Sequence, residues 1–425
     1  MFLDYKIIEI IKKLESNGYE TYVVGGAPRD YYLERPNHDI DIVTTASLKE
    51  IKEVFPLEHF ISYQKGITLG LVHNKTVIDI SSTNELTIEE DILRRDFTIN
   101  TLLYHPIRGW KDYLNAKHDI DKKILRSVGN PINMIKNDPL RILRAIRFEA
   151  ILKYKIDNKL LEAMFENKHL LKNIASERIN DELTKILLVD TPSIYIRKYI
   201  DIFDIVIPGL IKLKGFNQHN KYHVYDVLEH TLKVLDTTTA ILELRLAALF
   251  HDFEKPSCFT IDDNFVGHFY GHDEKSSITA ELILKQLHYP YKLIDKVVKL
   301  IYYHDYKLVN DEKKLLKFIS KFGIEDIDLL MGLKGADVLG QNLEFIDRIY
   351  ELDEIEKKIY YLIDSKKFIT KELLNIKGSD LIEIGYPQNK TISTVLNLLL
   401  EKVRNNELEN DKEILLDYAS KLIIR

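Results

Sequence analysis

The sequence predicts an α+β fold, with a small mixed sheet at the N-terminal end and helices from there to the C-terminus. Three observations carry the prediction. Strand signals gather in the first 130 residues, helical periodicity takes over near Asp138, and glycine (17) and proline (11) are sparse for 425 residues. Sparse turn formers favour long helices over a β-rich chain. At roughly 150 residues per domain this length allows about three domains, large enough to fold without a disulfide or metal staple.

Residues 1–18 read as a helix with Ile7, Ile8, Ile11 and Leu14 at helical spacing. Residues 22–24, 39–43, 68–73 and 76–80 are short, β-branched and bounded by Gly, Asn or His, which marks strands. His73-Asn74-Lys75-Thr76 reads as the hairpin turn between the last two. Beyond them, residues 138–154, 176–189, 225–237, 240–252, 275–287, 326–339 and 392–403 have the periodicity of amphipathic helices. Polar breaks at 217–223 and near 305–313 suggest boundaries, giving expected segments 1–130, 131–215, 216–345 and 346–425. No internal repeat or low-complexity tract interrupts them.

Composition excludes several classes. Apolar residues make up 45% and charged residues 30%, ordinary for a soluble globular chain. The balance is 60 basic against 66 acidic residues, a net −6, so a nucleic-acid site must be local. Residues 117–190 hold 15 Lys/Arg against 11 Asp/Glu, a modest local excess. The single cysteine, Cys258, precludes an intrachain disulfide and points to a reducing compartment. Asp4 and Glu9 break any signal-peptide pattern, and no apolar run approaches the roughly 18 residues of a membrane helix. The expectation is a cytoplasmic chain with no membrane partner.

A first constellation opens at Gly25-Gly26, directly after a predicted strand, followed by Arg29-Asp30 and by the strand bearing Asp39-Ile40-Asp41. Residues i and i+2 of a strand share a face, so Asp39 and Asp41 project together. Two hard carboxylates on a rigid face suit Mg²⁺, and a two-ion site would activate a 3′-hydroxyl and stabilise leaving pyrophosphate. The glycine pair lets backbone N–H groups approach phosphate oxygens, and Arg29 offers a bidentate phosphate contact. Asp79 is a candidate third carboxylate. A D-x-D alone is commonly a solvated strand face; the whole strand–GG–RD–strand–DxD order is far more specific.

Two further clusters follow. Arg94, Arg95, Asp96 and Asn100 open a segment suited to triphosphate and ribose, or to an exposed charged turn. Asp138 and Arg141 stand three apart on a predicted helix that also carries Arg144 and Arg147. An acceptor beside a guanidinium can imitate the edge of a base and choose a nucleotide without a template. The competing reading of Asp138-Pro139 is an N-cap with proline at the first helical position.

A second constellation is rich in histidine: eight of the 14 lie within residues 219–304. His230 sits on a predicted helix, His251-Asp252 end another, His272 (with His268) lies in a glycine-rich stretch read as a loop, and His304 and Asp337 follow. Imidazoles with a carboxylate suit a borderline transition metal, and a metal-bound hydroxide is a hydrolytic nucleophile.

In their order, Gly25-Gly26-x-x-Arg29-Asp30, Asp39-x-Asp41, Arg94-Arg95-Asp96-Phe97-Thr98-Ile99-Asn100, Asp138-x-x-Arg141 and Glu177-Arg178-Ile179 resemble the class II tRNA nucleotidyltransferases. These are the CCA-adding enzymes and their bacterial poly(A) polymerase relatives. The resemblance covers about residues 20–185. It implies a polymerase-β-like head with helical neck, body and tail, tRNA as partner, and addition of C, C and A from CTP and ATP. It places Mg²⁺ at Asp39 and Asp41, base reading at Asp138 and Arg141, and the nucleotide among Arg94, Arg95, Asp96 and Asn100, with Arg144 and Arg147 expected nearby. His230, His251-Asp252 and Asp337 resemble the H…HD…D pattern of the HD phosphohydrolases, with His272 and His304 matching the extra ligands of two-metal members.

Three departures bear on the reading. Asn137 stands where the family often has Glu. Only ten residues separate Asp79 from Glu90, a link that resembles the CC-adding branch, whereas CCA-adding members carry a longer loop. The basic segment of the poly(A) polymerase branch is absent. Residues around Lys377-Gly378-Ser379 and Gly385-Tyr386-Pro387 resemble the family's tRNA-holding tail, with a plain helical cap as the alternative. The rivals are CC-only or A-only addition, poly(A) polymerase, and an HD phosphohydrolase whose head merely binds nucleotide or RNA.

Overall fold

The computed structural model describes residues 4–36, 40–62, 67–73, 76–365, 369, 371–405 and 407–423. The chain clusters into two compact units, one of residues 1–189 with 201–206, the other of residues 190–200 with 207–425.

The first unit begins with α1 (Tyr5–Ser16), β1 (Thr21–Val24), α2 (Gly26–Tyr32), β2 (Asp41–Thr44), α3 (Leu48–Val54), β3 (His59–Ser62), β4 (Thr68–His73), β5 (Thr76–Ser82) and α4 (Ile88–Ile92). Strands β6 (Leu103–His105) and β7 (Gly109–Lys111) complete a seven-stranded mixed sheet in the order β3-β4-β5-β2-β1-β6-β7. The four-residue β1, entirely buried, lies near its middle. Alternation along the strands explains the two faces. Val23, Ile42, Leu69, Leu71, Ile78 and Ile80 pack under α1 through Ile7, Ile10, Ile11 and Leu14. Tyr22, Val24 and Val43 face the other way, against Ile88, Ile92 and Leu103. The strand expected over 39–43 runs Asp41–Thr44, and the first helix is shorter than the 1–18 expected. His73 opposes Thr76 across an antiparallel β4–β5 pair, as a hairpin requires; Asn74 and Lys75 lie outside the described residues.

Helices α5 (Ala116–Asp121), α6 (Pro131–Asn137), α7 (Arg141–Leu152), α8 (Asn158–Asn167) and α9 (Ser176–Leu187) continue this unit, with the short pair β8 (Ile124–Leu125) and β9 (Lys155–Ile156). The helix expected to start at Asp138 is regular only from Arg141, after a turn over Pro139-Leu140 that the Asp138 carboxylate caps as its N-cap reading expects. Asp138 ends α6 with an extended backbone, and its carboxylate accepts from the Leu140 N–H at 3.3 Å.

The second unit holds α10 (Pro192–Lys198); α11 (Ile200–Val206) clusters with the first unit from Asp201 on. Then come α12 (Val227–Thr237), α13 (Leu242–Phe250), α14 (Lys255–Cys258), the hairpin β10 (Thr260–Ile261) and β11 (Gly267–His268), α15 (His272–Gln286), α16 (Tyr291–His304), α17 (Glu312–Phe322), α18 (Ile327–Leu339) and α19 (Arg348–Asp364). His272 is therefore the first residue of a helix, not a loop residue. Helices α20 (Gly378–Glu383), α21 (Lys390–Arg404) and α22 (Lys412–Ile423) close over their own core of Leu381, Tyr386, Leu399, Val403, Leu415 and Ala419. Among the described residues, no helix is long and apolar enough to cross a membrane.

Candidate catalytic and metal sites

At the head, Asp41 sits between Val24 of β1 and Asp79 of β5 in register, so the two carboxylates neighbour each other on one sheet face. Gly25 follows immediately with φ 81°, a backbone that favours glycine. A Cβ there would lie 2.7 Å from Asp41 Oδ2, so glycine also permits close approach of backbone and carboxylate. Gly26 opens α2. Asp39 lies outside the described residues. Asp41 with Asp79 forms the hard oxygen face that suits Mg²⁺.

The expected nucleotide residues are tied into a network. Arg29 is buried, its guanidinium on the Asp30 carboxylate at 2.9 and 3.0 Å and on Asn100 Oδ1 at 2.9 Å. Asn100 Nδ2 donates to Asp96 Oδ1 at 3.0 Å, the Phe97 N–H at 2.8 Å. Arg144 closes on Asp96 Oδ2 through Nε and Nη2 at 2.9 and 2.6 Å. Burial pushes the Asp96 carboxyl up, but Arg144 and these hydrogen bonds outweigh it and hold it below the usual range. Arg147 pairs with Glu182 of α9 at 2.8 Å. Arg95 pairs with Asp91 at 3.1 Å, while Arg94 reaches Asp91 and the Thr83 carbonyl, both at 3.2 Å, and stays half exposed.

Asp138 and Arg141 do not share a helix face. Arg178 of α9 takes the Asp138 carboxylate with both terminal nitrogens, at 3.2 and 2.8 Å, while Arg141 Nη2 donates to the Arg94 carbonyl at 3.0 Å. The roles of Arg178 and Glu182 went unread. Their partners lie on other elements, and the only signal was the Glu177-Arg178-Ile179 string. The link from Asp79 to Glu90 is compact: Asn84 and Glu85 take positive φ (55° and 70°), and Thr87 with Glu90 forms a capping box that starts α4.

In the second unit the histidines converge. His230, His251 and Asp252 form one triple, and Asp252, His272 and His304 another. Asp252 Oδ2 faces His230 and His251 Nε2 at 3.3 and 3.1 Å, and Oδ1 faces His272 and His304 Nε2 at 3.3 and 3.6 Å. Asp337 Oδ1 reaches His230 Nε2 at 3.0 Å. All four rings direct Nδ1 at a backbone carbonyl, of Gly340, Ala248, Phe269 and Ile301. A carbonyl only accepts, so Nδ1 carries the proton and each Nε2 lone pair points inward. Two Nε2 pairs then face each other at 3.2 Å, His230 with His251 and His272 with His304, an arrangement a cation between them would stabilise. The Asp252 carboxylate, 1% exposed, makes no well-directed hydrogen bond. The donor set fits metal ions: His230, His251 and Asp252 would hold one, and Asp252, His272 and His304 a second.

Residues outside the pattern complete this centre. Lys255 lies 2.6 Å from Asp252 Oδ2 and donates to Gln218 Oε1 at 2.9 Å. His223, 3.4 Å from Lys255, is pushed down to about 2 by burial and by that ammonium, so it stays neutral. His268 sits apart, paired with Asp262 at 3.0 Å.

Three family models match this chain: "Poly A polymerase head domain" over residues 21–80 and 74–126, "Probable RNA and SrmB- binding site of polymerase A" over 153–213, and "tRNA nucleotidyltransferase domain 2" over 272–419. A CCA-adding enzyme of Ligilactobacillus salivarius is 26% identical across 98% of this chain and 96% of its own length. A CC-adding tRNA nucleotidyltransferase of Halalkalibacterium halodurans is 35% identical across 43% of this chain and 48% of its own. A solved CCA-adding enzyme of Bacillus stearothermophilus, in complex with CTP, shares the fold with a TM-score of 0.66 at 22% identity, over 98% of this chain and 97% of that one.

Proposed function

Because this chain belongs to the poly(A) polymerase and tRNA nucleotidyltransferase family, we propose that it completes the 3′ end of tRNA, adding C, C and A from CTP and ATP and releasing pyrophosphate. The observation that carries the reading is Asp41 set beside Asp79, with Gly25 cleared to admit its carboxylate. Asp39 and Asp41 would hold Mg²⁺, whose charge would lower the pKa of the attacking 3′-hydroxyl and offset that of the leaving pyrophosphate. The chain's own residues bind and orient. Arg94, half exposed, would meet triphosphate, while the Arg29–Asn100–Asp96–Arg144 chain would keep the surrounding residues rigid. Asp138, its carboxylate plane set by Arg178, and Arg141, held on the Arg94 carbonyl, would select the base from neighbouring elements. RNA would be held through phosphate and shape, so affinity falls with salt. The expected place of action is the cytoplasm.

The test is extension of a tRNA transcript lacking CCA, with Mg²⁺ and labelled CTP and ATP. Growth by three nucleotides supports the reading; no growth overturns it. Arrest at CC supports the second reading, CC addition only, which the compact 80–89 link and the CC-adding relative favour.

The histidine–aspartate centre supports a second activity, metal-dependent hydrolysis of a phosphoester such as a 2′,3′-cyclic end. His230, His251, Asp252, Asp337, His272 and His304 would hold the ions, a transition metal suiting the imidazoles better than Mg²⁺. Release of 2′- or 3′-phosphate from cyclic nucleotide with Mn²⁺ or Co²⁺ supports it; metal-independent or absent turnover overturns it. Should Asp41→Ala leave the main activity intact, the hydrolase with a binding head is the better account.

A further inference from the structure

We infer that Arg348 is a positioning residue for the histidine–aspartate centre, acting on Asp337 through the amide of Gln341. The inference rests on reading that centre as a metal site.

Gln341 Nε2 donates to both oxygens of the Asp337 carboxylate, at 3.2 and 3.3 Å. Its Oε1 accepts from Arg348 Nη1 at 2.6 Å. Gln341 is 7% exposed. Its orientation follows from its neighbours, because an ionised carboxylate only accepts and a guanidinium only donates. The amide therefore cannot flip without losing its bonds to both neighbours. Asp337 in turn meets His230 Nε2 at 3.0 Å, so the chain Arg348–Gln341–Asp337 ends on the first triple.

Without Gln341 the Asp337 carboxylate would be free to turn about its Cβ–Cγ bond and change which oxygen it offers. Without Arg348 the amide would lose the charge-assisted bond that sets its plane. The guanidinium is itself placed from behind by the Tyr222 ring, 5.5 Å away. Arg348 opens α19, whereas Asp337 lies in α18, so the bond also ties the metal-side end of α18 to the next helix.

Arg348, Gln341 and Asp337 line one cavity of about 610 Å³ with His223, His304 and Lys334. Lys334 plays a parallel part on the other triple. Its ammonium donates to the carbonyls of His304 and Tyr306 at 2.5 and 2.8 Å and secures the end of α16 that carries the ligand. Each side of the centre is thus braced by one cation of the same cavity. Gln341 engages one of the five N–H donors a guanidinium carries.

The test is titration of the full chain with Co²⁺ in excess Mg²⁺, which fills the oxygen-rich head site, following the visible absorption that imidazole ligation intensifies. Wild type should bind. Arg348→Ala and Gln341→Leu should each weaken binding by roughly 10- to 100-fold. The double variant should be no weaker than either single, because both act along one chain. Arg348→Lys, which keeps a donor for Gln341, should recover most of the affinity. Circular dichroism confirms the fold; should Arg348→Ala lose it, Gln341→Leu carries the same comparison. Wild-type affinity in the single variants, or losses that add, overturn the inference. No Co²⁺ binding by wild type overturns instead the metal reading beneath it.

Discussion

Arg178 of α9 grips Asp138 with two parallel hydrogen bonds, at 3.2 and 2.8 Å, across 40 residues of chain. The fork fixes the plane of the carboxylate in the turn between α6 and α7. An acceptor meant to read a base needs such fixing, because a rotating carboxylate matches any edge. Arg178→Ala should therefore relax nucleotide choice more than it slows addition. A base-edge pair is worth about 1–3 kcal/mol of discrimination, so the preference for CTP over UTP should drop roughly tenfold or more. Competition assays with both nucleotides measure it; unchanged preference would remove Asp138 from base selection.

Gly25→Ala should injure catalysis out of proportion to stability. Its φ of 81° costs an alanine about 1–3 kcal/mol, a shift of a few degrees in Tm. The new methyl, however, meets Asp41 Oδ2 at 2.7 Å and displaces it. A misplacement near 1 Å costs about 100-fold in rate. Thermal melting beside single-nucleotide addition separates the two effects.

Asp96→Asn removes the carboxylate that organises Arg144 and Asn100. Breaking a buried pair costs about 3–5 kcal/mol, but the Arg144 side chain is one-third exposed, so water offsets part and about 1–3 kcal/mol is expected. The sign with pH follows from the lowered carboxyl of Asp96. Its stabilisation is fully present above the unfolded value near 3.9 and is lost as pH falls through the folded one. In urea unfolding the gap between wild type and Asp96→Asn should be widest near pH 7 and shrink below about pH 4. A gap independent of pH would deny the charge its role.

Co²⁺ or Mn²⁺ should raise the Tm of the chain, and chelation should reverse the rise. At a hundred times the dissociation constant, binding stabilises by about 2.7 kcal/mol. His251→Ala, which removes one ligand of the first triple, should diminish the rise. A Tm insensitive to these ions would contradict the metal reading.

Much of this was legible in the sequence, and the exceptions have physical causes. Asp41 and the His251-Asp252 tandem were legible because period and spacing are local. The Asp138–Arg178 pair was not, because spacing says nothing of a partner on another helix; i, i+3 arithmetic suggested Arg141 instead. That arithmetic presumed a helix through Asp138, where the chain in fact breaks before Arg141. His272 looked like a loop residue because Gly267 and Gly271 precede it, yet Gly271, at φ 76°, only caps the helix that His272 begins. Strands β6 and β7 have three residues each, too few to show alternation. Helix α16 did carry the signal, at Ile294, Val297, Leu300 and Ile301, and went unread. Spacing gives no sign that Asn100 and Asp96 bind Arg29 and Arg144, because those partners lie far along the chain.

The most direct test of the central claim is single-turnover addition of one C to a tRNA transcript ending before CCA, by wild type and by Asp41→Asn side by side. Losing a metal-holding carboxylate removes several kcal/mol of transition-state stabilisation, or roughly a thousandfold in rate. The account predicts addition by wild type and a loss of that order in Asp41→Asn, with tRNA binding and Tm nearly unchanged. Equal rates for the two would contradict it.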